Sequence, residues 1–154
     1  MTTSGFHSLG RCLRVGLLML GLSAIQIQSY AENVKAELLL VWGSNGEKPS
    51  DPAHKPLDED LAKELRKAFK WQNYFVINRT NTTLLPQVSK KVEMSKKCVI
   101  EIKALDGQRV EAQLFGEGKP RDKVIKPLSK EKSITFGGED SNKCAWFVII
   151  RRIE

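Results

Sequence analysis

Cys144-Ala145-Trp146-Phe147-Val148-Ile149-Ile150 is an unbroken apolar stretch near the C-terminus, and Arg151 and Arg152 end it. Its length and its aromatic and β-branched residues are typical of a strand. Side chains of a strand point alternately to opposite faces of the sheet. Both alternating sets are apolar here, namely Trp146, Val148 and Ile150 on one face and Ala145, Phe147 and Ile149 on the other. We therefore expect a strand inside a sheet that is covered on both faces.

A second central strand and one helix are predicted before this stretch. Leu38 to Trp42 is another continuous apolar run, and the Pro- and Gly-bearing segment from Gly43 to Pro56 reads as a loop. The segment from Asp58 to Phe69 has an apolar stripe at helical spacing, with Asp58 as its N-cap. The stripe consists of Leu57, Leu61, Leu65 and Phe69. A helix with such a stripe needs an apolar partner, and a face of the sheet would supply it.

The remainder of the chain reads as short strands joined by turns. Trp71 to Ile77 begins a strand that fades into the polar residues 78–83, and Pro127 places the segment Val124 to Leu128 at a sheet edge. Further strand patterns centre on Val92 and Met94, on Cys98 to Ala104, on Val110 to Leu114, and on Ile134 and Phe136 before Gly137-Gly138. About eight strands and one helix predict a mainly β (α+β) domain, an antiparallel β-sandwich with the helix packed on it.

Asp106-Gly107 marks a hairpin turn between two of these strands. A two-residue turn would set Ile102 opposite Glu111 and mix apolar and polar faces, so we expect a loop with an odd number of residues. Two registers satisfy this condition. A left-handed Gly107 would pair Ile102 with Val110, whereas a loop from Asp106 to Gln108 would pair Lys103 with Glu111.

The N-terminus has the three parts of a signal peptide. Arg11 and Arg14 precede an apolar core from Val15 to Ile25, and Ser29-Tyr30-Ala31 forms a cleavage site. We therefore predict a signal peptide over residues 1–31, a single exported domain over 32–154 in the periplasm or outside the cell, and no transmembrane segment after cleavage. The alternative is an uncleaved membrane anchor. Cys12 precedes the apolar core, so lipidation is not expected.

Export affects how the cysteines are interpreted, because an oxidising compartment allows two thiols of a small domain to pair. The predicted mature chain retains Cys98 and Cys144. Both share the parity of the apolar side chains in their strands, so both sulfurs are expected to be buried. A Cys98–Cys144 disulfide and two separate buried thiols are equally compatible with the sequence.

Basic residues exceed acidic ones by 7 in the whole chain, and by 5 once residues 1–31, with Arg11 and Arg14 and no acid, are removed. A solvated surface explains most of these lysines, and a basic surface for anionic envelope polymers or lipid headgroups is the alternative. Its candidate residues are Lys90, Lys91, Lys96, Lys97, Lys119, Arg121, Lys123 and Lys126. Aromatic residues do not interleave with them, so nucleic-acid binding is not expected.

The sequence contains no recognisable set of catalytic residues and no cofactor motif. His54 is the only histidine of residues 32–154, so neither a histidine-based nucleophile device nor a metal site is predicted. The acids Asp58-Glu59-Asp60 and Glu139-Asp140 could serve as the acid–base pair of a hydrolase or bind calcium, but helix-dipole and turn roles explain them more simply. Asn78-Arg79-Thr80 and Asn81-Thr82-Thr83 match the glycosylation sequon, which matters only in a eukaryotic source.

Three segments resemble a group of small uncharacterised exported proteins of bacteria: Phe69 to Phe75, Val92 to Ile102, and Gly137-Gly138 followed by Ala145 to Val148. The resemblance implies a signal peptide and a compact β-rich domain, and it brings no activity. The sequence thus favours a non-enzymatic exported domain that binds or supports an envelope component. The alternatives are a module that binds polyanions or membrane surfaces, and a carboxylate-based hydrolase.

Overall fold

A computed structural model describes residues 32–46, 48–139 and 143–154; the predicted signal peptide and Asp140 lie outside these ranges. The described residues form nine strands and one helix. The elements are β1 (Val34–Ser44), β2 (Lys55–Pro56), α1 (Glu59–Ala68), β3 (Asn73–Leu84), β4 (Ser89–Ser95), β5 (Cys98–Ala104), β6 (Arg109–Gly116), β7 (Lys119–Pro127), β8 (Ile134–Glu139) and β9 (Ala145–Arg152). The prediction of a mainly β domain with one helix is confirmed.

Two antiparallel sheets face each other as a sandwich. Sheet A has five strands in the order β2-β3-β1-β9-β8, and sheet B has four in the order β4-β5-β6-β7. The sandwich is closed on one side, where β3 leads directly into β4 and contacts it. On the other side β8 ends sheet A and β7 ends sheet B, and they are not paired with each other. We call this side the β7–β8 opening.

Strand β9 is covered on both faces, as the sequence predicts, and it lies between β1 and β8. Trp146, Val148 and Ile150 pack into the core between the two sheets. Ala145, Phe147 and Ile149 pack on the other face under α1. The apolar run from Leu38 to Trp42 likewise forms the middle of β1, beside β9.

The predicted end of β9 at Ile150 is wrong, because the strand continues through Arg151 and Arg152. Arg151 stands opposite Glu37 of β1, and its Nε donates to the Glu37 carboxylate. That carboxylate is only 5% exposed and also accepts from Arg79 at 3.1 Å. A carboxylate is stable in a buried position only when cations pair with it. The ion pair with Glu37 therefore keeps Arg151 alongside β1, and β9 continues through it.

Phe147 occupies a seat that two glycines leave open in sheet A. A Cβ atom on Gly137 of β8 would lie 2.9 Å from Cδ1 of Phe147, and one on Gly43 of β1 would lie 3.0 Å from Cε2. The ring centroid lies 4.7 Å from Phe69, 5.8 Å from Trp71 and 5.7 Å from Tyr74. Phe147 therefore joins the sheet to the segment that follows α1.

Helix α1 begins after Asp58 and ends at Ala68, close to the predicted bounds. Leu57, Leu61 and Leu65 are buried against sheet A, so the predicted stripe is confirmed. Asp58 occupies the N-cap position, but its side chain does not cap the helix. Its carboxylate instead accepts from Arg79 at 3.4 Å and from Arg151 at 3.3 Å, because both guanidinium groups lie beside it at the Glu37 cluster.

Two further boundaries differ from the sequence interpretation. β3 does not fade after Ile77 but runs to Leu84, since β1 pairs with it along that whole length. β2 pairs only with Phe75 and Val76, so the rest of β3 borders the sheet and tolerates polar side chains. Gly137 and Gly138 belong to β8 rather than to a turn, where they face Phe147 and Trp146 of β9.

The hairpin between β5 and β6 uses the loop from Asp106 to Gln108, and Lys103 stands opposite Glu111. The odd loop length is confirmed, and the alternative with a left-handed Gly107 is wrong. Asp106 closes the loop: its carboxylate accepts from the Arg109 side chain and from the backbone N–H groups of Gln108 and Arg109. These bonds, the Arg109 side chain first, lower the pKa of Asp106 to about 2. Hydrogen bonds to the Asp106 carboxylate, rather than a left-handed Gly107, therefore fix the conformation of this loop.

We expect Phe147→Ala to lower the free energy of unfolding by about 3–5 kcal/mol, because it empties a fully buried seat that three other rings border. Phe115→Ala is the matched control, since Phe115 is only half-buried. It should cost less than half as much. Urea denaturation of both variants measures the difference, and equal losses would contradict the role given to Phe147.

Candidate functional site

A cleft of about 780 Å³ lies between the two sheets at the end of the sandwich that carries the β4–β5 and β6–β7 turns, and it extends to β7 and β8 at the β7–β8 opening. We call it the inter-sheet cleft. Sheet A lines it with residues of β1, β8 and β9, and sheet B with residues from the ends of β4 to β7. The lining residues are Leu40, Ser95, Lys97, Cys98, Leu114, Phe115, Gly116, Glu117, Arg121, Asp122, Phe136, Gly137 and Trp146. The volume lies within the range of small-molecule and peptide-side-chain sites.

The lining has apolar walls and a charged rim. Leu40, Leu114, Phe136 and Trp146 belong to or pack against the core between the sheets, so they form the deep walls. The rim carries two cations and two anions. Glu117 lies 3.3 Å from Lys97 and 3.9 Å from Arg121, which leaves the rim close to neutral. Such a cleft selects a ligand by apolar contact and shape more than by charge.

Trp146 forms the wall on the β8 side because β8 has no side chain in its way. A Cβ atom on Gly138 would lie 2.5 Å from Cζ2 of the indole, so the ring crosses over the glycine. On the opposite face of the sheet Gly137 makes the same room for Phe147. Two aromatic rings thus extend over β8 toward its outer edge, one on each face.

Cys98 lines the inter-sheet cleft as the first residue of β5. Its side chain is half-buried, whereas Cys144 is 4% exposed at the start of β9. The prediction that both sulfurs are buried therefore holds for Cys144 and only in part for Cys98. Burial raises the pKa of the Cys98 thiol, because a desolvated thiolate is disfavoured.

No disulfide joins Cys98 to Cys144 in the structure. Cys98 begins a strand of sheet B and Cys144 precedes a strand of sheet A, so the two cysteines stand on opposite walls of the sandwich. Stacked sheets are about 10 Å apart, beyond the separation that a disulfide spans. The alternative of two separate thiols is the one that this geometry supports.

The eight candidate basic residues do not form a single patch. Lys90 and Lys91 lie on β4, and Lys119, Arg121, Lys123 and Lys126 lie on β7. These strands are the two edges of sheet B, separated by three strand spacings or about 14 Å. Lys96 and Lys97 occupy the turn between β4 and β5.

Acidic partners neutralise half of that set. The pairs are Lys91–Glu101 at 3.9 Å, Lys97–Glu117 at 3.3 Å, Arg121–Glu117 at 3.9 Å and Lys123–Glu111 at 3.1 Å. Lys90, Lys96, Lys119 and Lys126 make no ion pair with any described residue. Two of these four cations lie on β7, beside the opening.

The two acidic groups considered for a hydrolase lie at different ends of α1. Asp58 precedes the helix and bonds to Arg79 and Arg151, while Glu139 bonds at 2.7 Å to Lys70, just after the helix. A ten-residue helix spans about 15 Å, more than the separation of paired catalytic carboxylates. These acids are therefore not arranged as an acid–base pair.

His54 does not line the cleft. It lies beside β2, and its Nε2 is 3.8 Å from the carboxylate of Asp51. β2 is an outer strand of sheet A, whereas Cys98 begins β5 of sheet B. The structure therefore does not bring Cys98 and His54 together as a nucleophile and its base.

The described residues contain neither a metal-ligand cluster nor a helix that could span a membrane. Within residues 32–46, 48–139 and 143–154, no three His, Cys, Asp or Glu side chains cluster as metal ligands would. The same ranges contain no helix with the length and apolarity that spanning a bilayer requires. The sequons lie in β3, where Asn78 is half-buried and donates its amide to the carbonyl of Met94 at 2.9 Å, and Asn81 is exposed.

The inter-sheet cleft could not be located from the sequence, because its walls come from strands that are distant along the chain. One signal was present: Gly137-Gly138 precedes Trp146-Phe147, and glycines opposite aromatic residues indicate rings that cross a neighbouring strand. Comparisons with protein-family models, curated proteins and solved structures found no match to this chain. The geometry of the site therefore carries the functional argument.

We expect Cys98 to react with maleimide in the native protein and Cys144 to react only after unfolding. The reaction of Cys98 should need a more alkaline pH than that of an exposed thiol, since only the thiolate reacts and burial raises its pKa. Mass spectrometry of residues 32–154 after labelling at several pH values tests both points. A mass that rises by about 2 Da on reduction would reveal a disulfide and contradict the placement of the two cysteines.

Proposed function

We propose that this chain is an exported, non-catalytic binding domain whose ligand enters through the β7–β8 opening. The supporting observation is the inter-sheet cleft, which combines a volume of about 780 Å³ with apolar walls and a nearly neutral rim. Large apolar side chains are normally buried, so the partly exposed Trp146 at this cleft favours a ligand or a partner as its cover.

The side chains around the cleft argue against catalysis as its role. Cys98 is the one nucleophile of strength among the lining residues, and its raised pKa keeps it protonated at neutral pH. His54 lies beside β2 and does not line the cleft, and the acids at the rim are paired or bonded to the backbone. Binding requires none of these groups to react.

The proposal of export rests on the sequence of residues 1–31 and on the resemblance to small exported bacterial proteins. Arg11 and Arg14, the apolar core from Val15 to Ile25 and the small residues Ser29 and Ala31 supply the order of features that export requires. An envelope or secreted location also agrees with the proposed role. A binding domain without catalytic groups acts through its partner, and an exported domain would meet that partner in the envelope or outside the cell.

The binding claim is tested with N-phenyl-1-naphthylamine, a neutral dye that fluoresces in apolar sites. We expect saturable binding to residues 32–154 with one site per chain, because the inter-sheet cleft combines a volume of about 780 Å³ with apolar walls. Cys98→Phe should abolish binding by filling the cleft. Val88→Phe adds the same ring at a position that is 51% exposed outside the cleft, and it should leave binding unchanged.

Circular dichroism confirms that both variants fold. Absence of saturable binding to the wild-type protein, or equal binding by both variants, would contradict the proposal. Turnover of any substrate in a broad hydrolase screen by the wild-type protein, and its loss in the Cys98→Phe variant, would do so as well.

Export is tested by fusing residues 1–31 to an alkaline phosphatase that is active only outside the cytoplasm. We expect activity from the fusion and its loss on Leu18→Arg, which places a charge in the apolar core. Thr3→Arg is the matched control, since it adds the same charge before that core. Activity that survives Leu18→Arg, or an inactive wild-type fusion, would contradict export by this segment.

A further inference from the structure

β8 differs from the other outer strands because its edge is unprotected. Sheet edges are normally blunted by lysine, proline, bulges or short length. β4 carries Lys90 and Lys91 at its edge, and β7 carries Pro120 and Pro127. At the opposite edge of sheet A, β2 is only two residues long. The part of β3 that β2 does not cover follows a register shift in its pairing with β1, beside Leu40.

None of these devices occurs along β8, whose sequence is Ile134-Thr135-Phe136-Gly137-Gly138-Glu139. In the part of the chain that the structure describes, β8 pairs with β9 alone. Its second row of backbone N–H and C=O groups is therefore available along six residues, which is an ordinary strand length.

Three cavities border this one strand. The inter-sheet cleft touches Phe136 and Gly137 on the face toward sheet B. On the face toward α1, a groove of about 390 Å³ runs from Gly137 to Glu139 and is walled by Phe69, Trp71 and Phe147. A third groove of about 310 Å³ lies between Thr135 and the α1 residues Leu61 and Leu65. β8 thus has receptive space on both of its faces.

The alternation of a strand matches this arrangement. A residue added opposite Gly137 would point to the α1 face, and its neighbours opposite Phe136 and Gly138 would point into the inter-sheet cleft. Gly137 and Gly138 contribute no side chains, and Phe147 and Trp146 extend over them. Consecutive large apolar side chains on an added strand would each meet an aromatic wall.

Unpaired lysines surround the start of β8. Lys126 lines the third groove, and Lys130 and Lys132 are exposed in the connection from β7 to β8. None of the three makes an ion pair with a described residue. The acids near them are Glu64, which also lines the third groove, and the exposed Glu131. Glu139, at the other end of the strand, is bound by Lys70. An acidic flank on a bound segment would complement this margin.

We propose that β8 accepts an extended acidic-flanked segment of a partner protein as a tenth strand, with consecutive apolar side chains opposite Phe136, Gly137 and Gly138. This proposal rests on the proposed binding function and names its ligand class. Main-chain hydrogen bonds to β8 supply affinity, and the cavities on the two faces select the side chains. The added strand also covers the part of Trp146 that otherwise faces solvent.

The first test uses a synthetic peptide of alternating valine and phenylalanine with two glutamates at each end. Isothermal titration against residues 32–154 should show binding to one site. Methylation of alternate backbone nitrogens on the edge that faces β8 should abolish binding, because it removes the donors of the ladder. Methylation of the other set should leave binding unchanged. Equal affinities of the two methylated peptides would overturn strand addition.

The second test measures the charge contribution with matched variants. Lys130→Gln combined with Lys132→Gln should weaken peptide binding by about twofold to fivefold per lysine, with the loss shrinking at high salt. Lys55→Gln combined with Lys90→Gln removes the same charge on β2 and β4, the outer strands on the other side of the sandwich, and should have no effect. Equal losses from both pairs would overturn the placement of the acidic flank.

The dye N-phenyl-1-naphthylamine distinguishes the proposed binding function of the cleft from strand addition at β8. Peptide that displaces the dye from the cleft supports both proposals. Dye binding without peptide binding overturns strand addition and leaves the binding function standing, and failure of both probes overturns both. Sedimentation that reveals a dimer broken by Thr135→Lys would also overturn the proposal, because a second copy would then occupy β8.

Discussion

The seat of Phe147 between Gly43 and Gly137 is the contact on which the rest of this structure depends. It places one aromatic ring, 1% exposed, where β1, β8 and β9 meet and where Phe69, Trp71 and Tyr74 converge from the chain around α1. The Trp71 indole N–H donates to the carbonyl of Lys143 at 2.9 Å, so the same segment also ties down the start of β9. Sheet A and its helix are joined at this point.

The glycines that make this seat also shape the candidate site. Because β8 has Gly137 and Gly138 opposite Phe147 and Trp146, the rings of β9 extend toward the outer edge of β8 on both faces. The Phe147 ring packs in the core under α1, and the Trp146 ring forms a wall of the inter-sheet cleft. An edge strand with aromatic walls above and below it is therefore a consequence of how the core packs.

The sequence predicted those parts of the fold that a local pattern determines. The two apolar faces of β9, the strand at Leu38 to Trp42, the α1 stripe and the odd loop at Asp106 are all confirmed, because alternation and helical spacing reflect burial directly. The length of β3 was missed, since residues 78–83 are polar and only the pairing with β1 makes them a strand.

The site was less accessible to sequence reasoning, because it depends on which strands meet. The basic residues follow one another along the chain, yet β4 and β7 carry them to opposite edges of sheet B. Cys98 and Cys144 share inward parity, yet they stand on facing sheets rather than on neighbouring strands. Asp58 is an N-cap by position, and the arginines drawn to the buried Glu37 redirect its side chain.

The packing of β9 leaves β8 as an open edge beside the inter-sheet cleft. Hydrogen–deuterium exchange of residues 32–154, resolved to single amides, tests it most directly. The account predicts that amides of β9 exchange only through global unfolding, while alternate amides of β8 exchange rapidly in the native state. Uniform protection along β8, at the level of β9, would show that its edge is covered and would contradict the account.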